Sequence, residues 1–342
     1  MINFFLKFFM FIFLMGYFTG VSFSHHSAAA FYDLENMVDM EGQIVSFDWR
    51  NPHVFLQVAI NNSDGEEVIW EMESGSINTL QRYGIDREDI KIGEKVNIVG
   101  ALSRHGLDEM LAITISSESM GLVAVHPNIA KRFLSSVEDL ESLAFSSEAK
   151  DSAEESARGI FKVWTPERRP NTNSGNISWP LTPAAQLSQA SWNPLIDDPA
   201  LKCIPPGLPA AMDNPYPVEF REEDGAIVMY LEEWDGRRVF NLDQPFPISE
   251  EYSSMGYSLA SWAENTLLVK TTKINYPFFD DRGTPLSLDA EILEEFTLSS
   301  DESNLEWVAT IIDPVNFTEP VILEGNWIWL AGESVEPYNC TL

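Results

Sequence analysis

The chain has 342 residues, 44% of them hydrophobic and 12% aromatic, a composition that excludes a disordered polymer and belongs to a folded globular protein. Its 53 acidic residues against 21 basic ones give a formal charge of −32, which repels nucleic acid and anionic membrane surfaces and sets nucleic acid aside as a partner. A chain of this length is long enough for two domains.

In chain order, the first segment, MINFFLKFFMFIFLMGYFTGVSFS, carries one positive charge at Lys7 and an apolar run from Phe8 to Phe18, with small residues at Ser22 and Ser24. That layout predicts a secretory signal over residues 1–24, because the apolar run is shorter than the roughly 20 residues of a spanning helix. Cleavage nearer Ala28–Ala30 and an uncleaved anchor are the alternatives. Cleavage after Ser24 makes His25 the new N-terminus and His26 its neighbour, and leaves no membrane span. An N-terminal histidine offers an amine and an imidazole nitrogen on one residue, a chelate that favours Cu(II). The alternative is a pair of solvated residues beside a cleavage site.

Residues 25–122 read as an OB-like five-stranded barrel. VDMEGQIVSFDW and HVFLQVAI alternate with period two, NSDG makes a turn into EEVIWEME, GSINTLQRYGI is a short helix ended by Gly84, and KVNIVGALS and MLAITISS follow. Residues 123–158 form a helical connector: IAKRFLSSVEDLESLAF has helical apolar spacing, and SSEAKDSAEESA reads as flexible linker.

Residues 159–342 read as an antiparallel β domain, a second barrel or curved sheet, so the fold class is mainly β. LTPAAQLSQA is a short helix with Thr182 as N-cap and Pro183 at its first position. AIVMYLEEW and RRVFNLD form a hairpin about Asp235–Gly236, and the strand-rich segments after it continue a meander. The two cysteines, Cys203 and Cys340, form one disulfide in an exported protein, worth roughly 4–5 kcal/mol in the chain-entropy picture for so long a loop.

HHSAAAFYD, EGQIVSFDWRNPHVFLQV, WEMESGSINTLQRYG and KIGEKVNIVGALSRHG resemble a secreted bacterial family of unknown function whose members begin with His-His-Ser and carry Asn-Pro-His at the second strand. The resemblance spans about residues 25–118. PLTPAAQ, DDPALKCIPPGLPAAMDNPYP and IIDPVNFTEP resemble a companion region of periplasmic proteins of proteobacteria, over roughly 159–342. The resemblance implies a periplasmic or secreted location and no activity. It also marks departures: relatives commonly show His at the positions of Phe246, Tyr257 and Leu286, and Glu-Gly-Asp-Thr where this chain has Ala263-Glu264-Asn265-Thr266.

Candidate chemistry divides between the two halves. All five histidines lie in the first 126 residues, so a copper site from His25 and His53, with His26 or His105 as a further ligand, is one expectation. The plainer alternative has His53 fixing a turn and His105 solvated at the RHG turn. In the second half, Asp280, Asp281 and Arg282 are weak catalytic candidates for an acid-catalysed hydrolase or isomerase, against the plainer expectation of an Asp281–Arg282 turn contact, and Glu232, Glu233, Glu294 and Glu295 lie on strands. Trp234, Trp262 and Tyr257 are candidates for the wall of an aromatic pocket. The leading expectation is a periplasmic binding protein that holds a small apolar or aromatic molecule in its second barrel, with copper binding as the main alternative.

Overall fold

The alternating segments of the first half form six strands in the computed structural model, which describes residues 31–62, 64–127, 129–130, 146–170, 177–242 and 251–341. They are β1 (Tyr32–Asp48), β2 (Phe55–Asn61), β3 (Glu67–Glu73), β4 (Lys95–Ser103), β5 (Glu109–Ser117) and β6 (Gly121–Ala124). β1 pairs antiparallel with β2 and β4, β2 with β3, and β4 with β5. A ring with an odd number of strands cannot alternate direction throughout, and the one parallel seam is β3–β5. This is the expected five-stranded barrel, with Ile44, Leu56, Val58, Met72, Ile98 and Met110 in its core. β6 pairs with β5 outside the ring. The helix α1 (Ile77–Arg82) bridges β3 and β4; Ser76 caps it by accepting from Thr79 N, and Gly84, at φ +75°, ends it.

The stretch read as flexible linker is instead helical as α2 (Ser147–Ser156), where Ser146 Oγ accepts from Ala149 N at 3.1 Å and good helix formers follow. Most of the amphipathic helix expected before it falls at 131–145, outside the described residues.

The second barrel closes nine strands: β7 (Val163–Arg168), β8 (Val218–Glu223), β9 (Ala226–Leu231), β10 (Gly236–Leu242), β11 (Tyr257–Ala263), β12 (Thr266–Thr272), β13 (Glu291–Leu298), β14 (Asn304–Ile312) and β15 (Val321–Trp329). The expected uninterrupted antiparallel meander is corrected at one place. Nine is again odd, and β10 runs parallel to β11. Between β7 and β8 lie α3 (Pro183–Ser191), capped by Thr182 as expected, and α4 (Pro194–Asp197).

Alternation fills this barrel with side chains. Phe220, Phe240 and Phe296 lie with ring centroids 5.7–6.2 Å apart, and Trp307 and Trp327 meet at 6.2 Å. Glu294 of β13 also points inward, where Arg238 of β10 meets it through two bonds of 3.0 and 2.7 Å and Trp307 Nε1 donates to it at 3.0 Å. A bidentate pair with a third donor satisfies charges that would otherwise be costly to bury. The interior is therefore a packed core among the described residues.

The hairpin between β9 and β10 also differs from expectation. Gly236 pairs with Leu231, so residues 232–235 form a four-residue loop, and Glu232 and Glu233 lie in that loop and not on a strand. Gly236 is extended, while Trp234 and Asp235 take φ of 61° and 53°. The loop is held by partners from elsewhere. Asp235 accepts from Tyr338 N (2.9 Å) and Asn339 N (3.0 Å), and Glu232 accepts from Glu336 N (2.9 Å).

These contacts tie the two barrels together through the C-terminal tail. Arg82, in the last turn of α1, donates to Glu232 at 2.6 Å and to Glu333 at 3.0 Å, and Asn78 donates to Glu232 at 3.0 Å. Asn51 donates to Asn78 at 2.8 Å and also to Tyr338 O, and its own carbonyl accepts from Thr341 N at 3.2 Å. The Cys203–Cys340 disulfide forms as expected and fixes the tail across this junction.

Candidate functional site

A cleft of about 220 Å³ lies where the first barrel faces the loops at one end of the second. From the first barrel it receives His53 from the entry to β2, Glu73 from the end of β3, Ser76 and Thr79 from the start of α1, and His126 after β6. From the second it receives Asp198, Asp213, Tyr216, Glu233, Trp234 and Asp281, and the tail contributes Tyr338. The volume sits just below the usual ligand-cavity range of about 300–1,000 Å³.

Glu73 is 1% exposed. It is the last residue of β3, and the Tyr32 hydroxyl donates to its Oε2 at 2.8 Å. Burial, aided by the charges of Glu71 and Glu109 and opposed by the Tyr32 bond, pushes its carboxyl up to about 8. His53 Nδ1 lies 3.2 Å from Glu73 Oε1 and 3.1 Å from Ser74 O. A proton on Nδ1 serves both acceptors and makes Nε2 the acceptor of the ring. Burial lowers His126 to about 4 although its Nδ1 lies 2.7 Å from Ala112 O, so its ring is neutral at physiological pH.

The opposite wall is aromatic and acidic. Tyr338 packs against Tyr216 (5.5 Å, 71°) and Trp234 (5.5 Å, 48°). Glu233 is half-buried, and desolvation followed by the charge of Asp281 raises its carboxyl to about 8 against the pull of Arg169. Burial and the Glu233 charge in turn raise Tyr216 to about 12. Arg169, the basic residue with a fixed charge on the wall, lies 3.4 Å from Asp213.

The residues singled out from the sequence divide clearly. His53, Trp234 and Asp281 converge on the cleft. Asp280 does not: its two oxygens accept from Trp179 Nε1 (2.9 Å), Thr284 Oγ1 (2.8 Å), Thr284 N (3.0 Å) and Arg282 N (3.0 Å), the pattern of a loop cap. The arginine contact in this loop joins Arg282 to Asp280 at 3.5 Å, where Asp281 was the expected partner. Arg282 also donates to Ile177 O at 3.1 Å. His105 sits in the β4–β5 turn against Phe31, at 5.3 Å between rings. Trp262 is 42% exposed on the outer wall of the second barrel. The Tyr257 hydroxyl is buried away from the cleft lining and has no hydrogen-bond partner among the described residues. His25, His26 and Phe246 lie outside the described residues. Among the described residues no group of three or more His, Cys, Asp or Glu side chains is placed to hold a metal ion, and no helix is long and apolar enough to cross a membrane.

Glu73, Glu233, Tyr216 and Tyr338 carry no local signal in the sequence. Glu73 follows Glu67 and Glu71 at outward positions of β3 and is buried only because Tyr32 and the junction cover that face.

A family of unknown function (DUF6152) matches residues 15–112. The match takes in the first barrel as far as β5, including His53 and Glu73, and leaves the acidic and aromatic wall of the cleft outside it. No curated protein matches the chain.

Proposed function

We propose that the protein is an exported binding protein that holds a small, partly aromatic or apolar ligand in the cleft between its barrels. The observation that carries this reading is the cleft itself, where an aromatic wall and convergent polar groups meet in a molecule whose two barrel interiors are filled. Export to the periplasm is supported by the Lys7 and Phe8–Phe18 pattern and by the disulfide, a bond that persists in oxidising compartments. Ile204 lines the cleft and is 49% exposed, so Ile204→Trp obstructs it without touching either core. A small-molecule panel read by thermal shift tests the reading. Compounds that stabilise the wild type and not Ile204→Trp support it, and compounds that stabilise both equally, or none at all, contradict it.

A second reading, copper binding by the mature N-terminus, is favoured by one observation. The Tyr32 hydroxyl is bonded to Glu73 beside His53, so the described chain begins next to the cleft. Phe31 lies six residue steps beyond His25, a reach of at most about 22 Å. Copper titration into the processed protein, alongside a variant with one alanine added before His25 and a His53→Ala variant, tests it. Tight binding lost in both variants supports the site, and binding indifferent to either removes it.

A further inference from the structure

We infer that the Cys203–Cys340 disulfide is a redox latch: a dithiol that reduces it frees the C-terminal strap and loosens the cleft wall while both barrels stay folded. The latch follows from how the chain is tied and needs no ligand in the cleft.

Three features carry it. The first is that the strap belongs to neither barrel. Residues 330–341 follow β15, the last strand of the second barrel, and among the described residues their one ladder contact is an isolated bridge between Cys340 and Asn51. Neither barrel core takes a residue from the strap. It can leave with every strand pairing of both barrels intact. The second is that its own packing is small. Tyr338 is buried in a satellite cluster with Ala200, Tyr216 and Trp234, each from a different segment, and both cysteines pack against that cluster. Such clusters under loops open at lower cost than a barrel core. The third is the setting of the bond. Cys203 closes the short turn Pro199–Lys202 in the left-handed conformation, φ 49°, which a β-carbon disfavours. Both cysteines are half-buried, and Ile204, Pro205, Asn339 and Thr341 beside them are exposed, so an incoming thiol can reach the sulfurs.

The exchange is balanced. One sulfur of the dithiol attacks a cysteine sulfur and the other cysteine leaves; the second sulfur of the dithiol then displaces the mixed disulfide. Two electrons pass to the protein bond, the dithiol closes to its own disulfide, and its two hydrogens end on Cys203 and Cys340. Release of the strap then reaches both sides of the junction. Glu232 and Asp235 lose the amides of Glu336, Tyr338 and Asn339, so the loop that carries Glu233 and Trp234 into the cleft loses its anchors. Asn51 and Arg82 of the first barrel lose Tyr338 O and Glu333. One bond thus sets the cleft wall and the coupling of the barrels together.

Hydrogen exchange read by mass spectrometry on the full chain, before and after dithiothreitol without denaturant, tests the inference. Thiol alkylation counts the opened cysteines in the same samples. The expected result is two alkylated cysteines and amide exchange about tenfold or more faster in 331–341, 199–216 and 232–235, with peptides from β4 and β14 as slow as before. Removal of the reductant and reoxidation should restore the slow exchange. A bond that dithiothreitol opens only in denaturant overturns the latch. So does a reduced protein whose strap exchanges as slowly as the oxidised one. Fast exchange in β4 and β14 after reduction also overturns it, because the bond would then hold the fold and not the strap. The readout contains no ligand, so failure of the binding reading leaves the latch standing, and failure of the latch leaves the cleft standing.

Discussion

At the scale of single residues, burial decides which groups in the cleft carry charge. Glu73 binds its proton up to about pH 8 in the folded protein and only to its ordinary 4.5 in an unfolded chain. Folding therefore takes up a proton between those values, and the contribution of Glu73 to stability is fully present below 4.5 and lost as pH rises through 8. Glu233 has the same sign. His126 has the opposite sign, because its lowered value makes folding exclude a proton between about 4 and 6.5. Above 6.5 the raised carboxyls dominate, and stability should fall toward pH 8. The groups facing Glu73 are Tyr32, His53, Glu71 and Glu109. Glu73→Gln copies the protonated form, so denaturant unfolding at pH 6.5, 7.2 and 8 should show a slope shallower than wild type by up to about 1.4 kcal/mol per pH unit. Parallel curves would contradict the assignment. His53 was legible as a candidate because Pro52 and a strand start announce an aimed side chain. Glu73 was not, since the residues that bury it are distant in sequence.

At the scale of elements, the short helix α1 and the 232–235 loop do most to position the cleft. Gly84 marks the end of the helix in the sequence and acts as expected, and Ser76 supplies the N-cap. The loop was misread because Asp-Gly is a strong signal for a two-residue turn. That signal is local, and here Asp235 is recruited by the tail's amides and Glu232 by Arg82, so the turn widens to four residues and carries Trp234 and Glu233 into the cleft. The Glu232 side chain has no solvent exposure and the Arg82 side chain 14%. Arg82→Ala leaves that carboxylate buried with its counter-ion gone and should cost about 3–5 kcal/mol in denaturant unfolding. Adding Glu232→Gln should restore a good part of the loss, because the uncompensated charge is removed. A double variant no more stable than Arg82→Ala would show that the pair is not what holds the loop.

At the scale of the whole molecule, period-two patterning and turn residues made both barrels legible, and the even pair of cysteines made the disulfide legible. The parity of each ring, which forces one parallel seam, and the junction between the barrels were not legible. The seams depend on which strands pair, Glu71 with Glu109 and Phe240 with Ser258, and the junction on contacts between segments hundreds of residues apart, such as Asn51 with Tyr338. The disulfide closes a separation of 137 residues and fixes the tail that bridges the barrels. Cys203→Ser with Cys340→Ser should lower stability by about 5 kcal/mol in the chain-entropy picture. It should also weaken any cleft ligand, because Tyr338 lies two residues from Cys340 in that wall. Ligand affinity unchanged by loss of the bond would separate the tail from the site.

The central claim is that the junction of the two barrels is the binding site. The most direct measurement is a crystal structure of the protein saturated with the panel compound that stabilises it most. Density for that compound between Trp234, Tyr338, Glu233 and His53 is the predicted result. Density elsewhere, with this cleft holding only solvent, would contradict it.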